Sequence, residues 1–308
     1  MTIGCVAGLL AWWTRARVTG FSDFDLMWLV DRAIMRRADP FSAAHLAYAW
    51  PRPMLYPLPA AIVALPFAAL PQSLAPGAFS AAGFTLLAFG LTRDAWWPLI
   101  ALASLPAVES AQLGQWSPFF AAIALFPTLS FLAIVKPTTA GACASAYLPR
   151  TGNIPAILVA LGLLAAATFV TPGWVVRWSE AIRTPTRYLP LAVRPFGLLL
   201  LLALLKWRRP EARLIAFLAL VPLSGMAYDA LVLAVVPRSR GEALLLAVPT
   251  FVAVPWRAVA QDDGAAFAAA TSHNALMYLA TLYLPALMMV LRRPNETPAG
   301  LLGHRQGP

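Results

Sequence analysis

Apolar residues come in blocks along the whole chain, separated by short polar or basic intervals. After an apolar start at residues 1–13, the blocks cover 56–70, 78–91, 95–108, 118–135, 154–170, 195–205, 214–227, 230–236, 243–254 and 275–291. A bilayer crossing needs about 20 apolar residues, so a chain of 308 residues holds about eight to ten crossings once loops are allowed for. Several blocks are short, and Pro66, Pro106 and Pro127 interrupt them. Broken helices are tolerated in a bilayer where they line a protein-enclosed cavity. The pattern therefore predicts an all-α protein, a polytopic transmembrane helical bundle forming a single domain over residues 1–308, with some spans short or broken.

The longest polar-rich interval, residues 14–52, carries Asp23, Asp25, Asp31 and Asp39, four of the 13 acidic residues. Residues 25–37 show helical periodicity. Leu26, Leu29, Val30, Ala33 and Ile34 share one face, and Asp25, Trp28, Asp31, Arg32 and Arg36 the other. Such a helix is expected to lie in the membrane interface, and Ala38-Asp39-Pro40 ends it. The tail at 294–308 is polar, with Pro and Gly, and is expected to be disordered.

Composition agrees with this picture. Hydrophobic residues make up 60% and charged residues 12%, against about 25% charged in soluble domains, and the mean hydropathy is +0.70. The formal charge of +10 fits Lys and Arg gathered at cytoplasmic span ends better than a nucleic-acid surface. Placing the clusters 206–209, 238–240 and 292–293 in the cytoplasm puts Tyr228-Asp229 and residues 14–52 outside. Arg177 to Arg194 then falls outside as well, against the charge rule. The expected location is an integral, multi-pass protein of a bacterial-type plasma membrane.

The chain has no HExxH, CxxC, phosphate-loop or GxGxxG pattern. Cys5 and Cys143 have no metal-type spacing, and neither a cofactor nor a metal is expected. Two carboxylates, Asp23 and Asp25, follow the first span. One of them can act as general base on a hydroxyl held against it, and both equally suit the start of the helix at 25–37. Glu109, Gln112, Gln115, Lys136 and Asp229 are polar residues within apolar sequence, where such groups usually face a cavity or a partner. Lys136 can hold a phosphate as a point charge or extend to the interface. Tyr228-Asp229 can contact sugar hydroxyls or form a polar loop tip.

The order Ser22-Asp23-Phe24, Trp28, Asp39-Pro40-Phe41, Tyr56-Pro57, Gly114-Gln115-Trp116-Ser117-Pro118, Lys136-Pro137-Thr138 and Tyr228-Asp229 resembles glycosyltransferase family 87, of the GT-C superfamily. The resemblance covers about residues 14–240. It implies a GT-C-type helical membrane fold, a polyprenyl-phosphate sugar donor, with mannose the expected hexose, and a lipid or glycan acceptor at an outward-facing site. It also implies a catalytic Asp in the first external loop, the position of Asp23, with Asp25 next. Lys136 would bind the donor phosphate, and Trp28, Tyr56, Gln115, Tyr228 and Asp229 would line the substrate site. The chain departs from the family in its length, in Tyr56-Pro57-Leu58-Pro59 where Tyr-Pro-Pro is usual, in an abbreviated stretch between Gln115 and Lys136, and in a short first helix. Two other readings stand beside it: a transporter or lipid flippase, which would predict paired repeats that the sequence lacks, and a non-catalytic GT-C-like scaffold.

Overall fold

The computed structural model describes residues 1–20, 22–44, 54–148, 153–183, 189–223, 226–252, 254–256 and 264–296. Phe21, residues 45–53 at the end of the expected external loop, and residues 297–308 of the expected tail lie outside the described residues. All the regular elements among the described residues are helices, without a strand; one isolated antiparallel bridge joins Pro190 and Pro222.

Several apolar blocks become helices close to where they were expected: Ala75–Leu91, Ile154–Val170 and Arg240–Val252. The last block continues through a wide π-turn, Leu279–Tyr283, and the stretch Ser272–Leu291 is long and apolar enough to cross a membrane, with 20 residues of mean hydropathy 1.6. Helix Ile154–Val170 meets helix Trp174–Arg183 at 94°. The bend falls at Pro172-Gly173, and Gly173 takes the left-handed φ of +76° that a side chain resists.

Other blocks wind more tightly, as the 3-10 helices Trp97–Leu102, Pro127–Ile134, Gly197–Lys206 and Ala227–Val235. A 3-10 helix rises about 2.0 Å per residue against about 1.5 Å in an α-helix. The segment Ala227–Val235 therefore covers about 18 Å with few residues. Short apolar blocks thus travel further than their residue count suggests.

The segments run between two ends. At one end the three basic clusters meet. Arg209 Nε donates to Pro294 O (2.6 Å), the Arg208 N–H to Asn295 Oδ1 (3.1 Å), and Arg293 pairs with Glu242 (2.6 Å). Arg238 pairs with buried Glu211 (2.5 Å), and Arg240 lies over the Trp96 ring. At the other end, Asp25, Gln72 and Arg15 are bonded together, and Lys136 meets Asp229. Helix Leu58–Ala68 does not travel between the ends. Tyr56 before it and Leu70 after it both bond to residues of the acidic end, Gln115 and Trp28.

Helix Phe24–Met35 matches the amphipathic helix expected at 25–37, but its faces differ from the periodicity reading. Asp25 and Asp31, assigned to the charged face, are buried along with Leu26, Met27, Val30 and Ala33, whereas Arg36 is exposed. At 12 residues, about 18 Å, the helix is too short for a span. Asp31 is fully buried and neither carboxylate oxygen has a hydrogen-bond partner. Burial pushes its pKa from 3.8 up to about 9.

Small residues let the first helix, Thr2–Thr14, lie close against Ala75–Leu91. A Cβ on Gly8 would stand 2.7 Å from the carbonyl oxygen of Gly77, and one on Gly4 1.9 Å from Thr85 Oγ1. Gly8→Ala is expected to destabilise the protein by about 1–3 kcal/mol. Gly141→Ala, in a helix with nothing within 4 Å of the added carbon, should be neutral or stabilising by up to about 1 kcal/mol; thermal unfolding in detergent compares the two. The same measurement across pH tests Asp31. The folded chain keeps a proton that the unfolded chain releases between pH 3.8 and about 9, so stability should fall as pH rises through that window. Asp31→Asn should flatten the dependence and gain roughly 2–4 kcal/mol at pH 7.

Candidate functional site

The acidic end is assembled around the exit of helix Leu105–Leu113. Gly114 ends that helix with a φ of +66°, and the N–H of Gln115 closes the turn on Ser110 O at 2.9 Å. A Cβ on Gly114 would lie 3.0 Å from the Phe24 Cβ, so the glycine admits helix Phe24–Met35 at close range and sets Asp23 beside Gln115. Below them Phe24 stacks on Phe79 at 4.4 Å, and Phe79 meets Trp116 edge-on at 4.8 Å. This aromatic layer holds the two segments together.

From Asp23 a chain of hydrogen bonds leads inward. Gln115 Nε2 donates to Asp23 Oδ2, and the Tyr56 hydroxyl donates to Gln115 Oε1 at 3.4 Å. The amide is thereby oriented from both sides, its nitrogen toward the carboxylate. Tyr56 lines a cleft of about 420 Å³ together with Lys136, Thr138, Trp178, Pro222 and Tyr228. Lys136 Nζ sits 5.5 Å from the Tyr228 ring centre and 6.0 Å from that of Tyr56, within cation–π range.

Behind the cleft Lys136 Nζ bonds Asp229 Oδ1 at 2.6 Å, and Thr139 Oγ1 donates to the same oxygen at 3.3 Å. Asp229 is almost wholly buried, so it anchors the lysine from the protein side, away from the open cleft. Glu109, also buried, accepts the backbone N–H of Tyr228 at 2.9 Å. That N–H lies at the start of the 3-10 helix Ala227–Val235, where the chain offers no donor's partner of its own, so the carboxylate fixes the position of both Tyr228 and Asp229.

The outer wall belongs to helix Trp174–Arg183. Trp178 Nε1 donates to Leu55 O at 3.0 Å, and Arg177 forms two bonds to Asp39, at 2.6 and 2.8 Å, while lying over the Phe41 ring. The Arg177 guanidinium holds the Asp39 carboxyl well below the usual carboxylate range.

Lys136, Tyr56 and Tyr228 of the expected site residues thus line one cleft. Gln115 stands one hydrogen bond behind Tyr56 and Asp23 two, and Asp229 lies beneath Lys136. Asp25 and Trp28 are elsewhere. Asp25, buried, receives Arg15 Nε at 3.0 Å, Gln72 Nε2 at 3.0 Å and the Ser22 N–H at 2.6 Å, so it ties the first helix to the next. Trp28 gives its indole N–H to Leu70 O at 2.9 Å. No protein-family model matches the chain, and no curated protein or solved structure does so either.

Sequence reasoning singled out Glu109 as a polar residue in apolar sequence but gave it no role, and it missed Trp178, Thr139 and Gln72. Thr139 was within reach, since it follows Lys136-Pro137-Thr138 by one position. Trp178 carries no local signal; only the bend at Pro172-Gly173 brings it to the cleft.

Removing one member of a buried ion pair leaves the other charge unpaired, at a cost of about 3–5 kcal/mol. Lys136→Met and Asp229→Asn should each destabilise on that scale, whereas the double variant should recover much of the loss. Thermal unfolding of the four proteins measures the coupling, and purely additive losses would show that the pair is not energetically linked.

Proposed function

We propose that the protein is a multi-pass membrane glycosyltransferase of GT-C type. It transfers a hexose, mannose by the resemblance, from a polyprenyl-phosphate donor to a lipid or glycan acceptor at the outer membrane face, with inversion. The observation that carries this reading is the hydrogen-bonded line Asp23–Gln115–Tyr56, which ends in the cleft that holds Lys136. One carboxylate and one cation are the two charges the reaction needs, the first to take the acceptor proton and the second to receive the departing phosphate. Tyr56, Trp178 and Tyr228 supply flat faces on which a sugar ring can rest. The cleft has the size of a small-ligand site.

Membrane embedding with more than one span is supported by the outer surface. Large apolar side chains are exposed on several separate elements: Val6 and Leu9 on the first helix, Phe89, Ile157, Leu158 and Leu161, Leu244, Leu245, Val248 and Phe251, and Met288. A protein surrounded by water does not spread apolar surface over that many faces. The meeting of the basic clusters 206–209, 238–240 and 292–293 at one end supports a cytoplasmic position for that end and an outward position for the cleft.

In this mechanism the acceptor hydroxyl gives its proton to Asp23 as its oxygen attacks the anomeric carbon. The bond from that carbon to the phosphate oxygen breaks, and the phosphate leaves with the electron pair beside Lys136. Gln115 holds the Asp23 carboxylate through Oδ2 and so orients it. Asp25, committed to Arg15 and Gln72, serves the frame.

Asp23→Asn should lower turnover by about 100- to 10,000-fold and leave donor binding nearly intact. The assay is transfer of labelled sugar from a polyprenyl-phosphate donor by purified protein in lipid. Wild-type turnover in this variant would exclude Asp23 as the base, and absence of transfer by the unaltered protein with any such donor would exclude the reading itself.

A further inference from the structure

The basic end divides its cations into two sets. Arg238 and Arg293 are neutralised by the carboxylates of Glu211 and Glu242. Lys206, Arg208 and Arg292 form no ion pair among the described residues; Arg208 and Arg292 are exposed and Lys206 half-buried. The two stretches that carry them adjoin, because the N–H of Arg208 bonds Asn295 and Arg209 Nε bonds Pro294 O. Glu296, exposed, is the nearby carboxylate in the sequence, so the patch stays cationic.

The surface leading to this patch is apolar and regular. In a 3-10 helix residues three apart eclipse one another. Along Gly197–Lys206 that period aligns Leu199, Leu202 and Leu205, with Phe196 just before the helix and Arg208 just after it. Phe196, Leu199, Leu202 and Leu205 are all exposed, at 74%, 43%, 44% and 66%. At about 2.0 Å per residue the ridge from Phe196 to Leu205 is about 18 Å long, the length of an extended acyl chain, and it ends at the cations.

We propose that this surface binds one anionic phospholipid, its phosphate on Lys206, Arg208 and Arg292 and one acyl chain along the Phe196–Leu205 ridge. The proposal rests on the membrane reading given above and is independent of the transfer reaction. Charge and apolar track together select the ligand: a soluble polyanion would use the cations and leave the ridge in water, and a neutral lipid would use the ridge and leave the cations unpaired. The lipid would hold Gly197–Lys206 against the C-terminal Leu284–Leu291 helix that packs beside it.

Native mass spectrometry and thermal unfolding of the full chain test this in nanodiscs of phosphatidylcholine alone and of phosphatidylcholine with phosphatidylglycerol. The unaltered protein should retain bound phosphatidylglycerol and unfold at higher temperature in the mixed discs. Lys206→Ala, Arg208→Ala and Arg292→Ala should each weaken retention about fivefold. The charge-keeping Arg208→Lys should retain it, which separates loss of charge from loss of fold, and Leu202→Ser with Leu205→Ser should weaken it with every cation in place. Arg36→Ala with Arg37→Ala, exposed at the opposite end, should have no effect. Equal retention of both lipids by the unaltered protein in intact discs, or equal losses from the Arg36 and Arg37 changes, would overturn the lipid site alone. Failure to enter discs of either composition would overturn the membrane reading, and this proposal with it.

Discussion

A buried charge must be paired, and the arrangement of this protein around its cleft follows from that constraint. Lys136 and Asp229 are 93 positions apart in sequence and 2.6 Å apart in space. Each offsets the cost of burying the other, since an isolated ion in an apolar interior costs several kcal/mol. Their meeting joins the end of the 3-10 helix Pro127–Ile134, the start of helix Thr139–Tyr147 and the start of Ala227–Val235 at one point. Glu109 adds a fourth element, helix Leu105–Leu113, by taking the Tyr228 N–H. The cleft exists because these elements converge on one ion pair and leave space beside it.

The same constraint explains the division of labour among the carboxylates of the first loop. Asp25 is enclosed and needs Arg15, Gln72 and a backbone N–H to be tolerated there, so it works as a tie between helices. Asp31 is enclosed without such partners and holds a proton instead, with its pKa raised to about 9. Asp39 stays near the surface, where Arg177 pairs with it and clamps the helix that walls the cleft. Asp23 is half-buried and is held through Gln115 in line with the cleft. One acidic stretch thus contains a tie, a proton carrier, a clamp and the candidate base, and the surroundings of each decide which it is.

The two ends of the molecule differ in kind. The basic end consists of long flexible cations, partly neutralised by Glu211 and Glu242 and partly left outward. The acidic end consists of carboxylates tied to side chains of several elements, as a site that must keep its geometry requires. Between them, stretched 3-10 segments cover distance with few residues.

By itself the sequence determined the helical class, the positions of the apolar blocks and the polar residues among them. These depend on local composition: a run such as 154–170 is apolar but for Thr168, and helices Leu105–Leu113 and Ile154–Val170 end at Gly114 and just before Pro172-Gly173. Gln115, Lys136 and Asp229 were legible as candidates because polar groups in apolar sequence need a reason, and Tyr56 through the family resemblance. Tertiary structure alone decided how they were used. Periodicity put Asp25 and Asp31 on the charged face of their helix, yet helix Leu58–Ala68 and its neighbours cover them, because which face of a short helix is buried depends on what packs against it. Asp229 was read as a sugar contact or a polar loop tip, and the structure pairs it with Lys136, a pairing no local pattern encodes. Trp178 reaches the cleft only through a 94° bend. Local sequence fixes what each segment can be, whereas the pairing of charges across about a hundred residues is settled only when the helices meet, since desolvation acts on a group's final surroundings and not on its sequence neighbours.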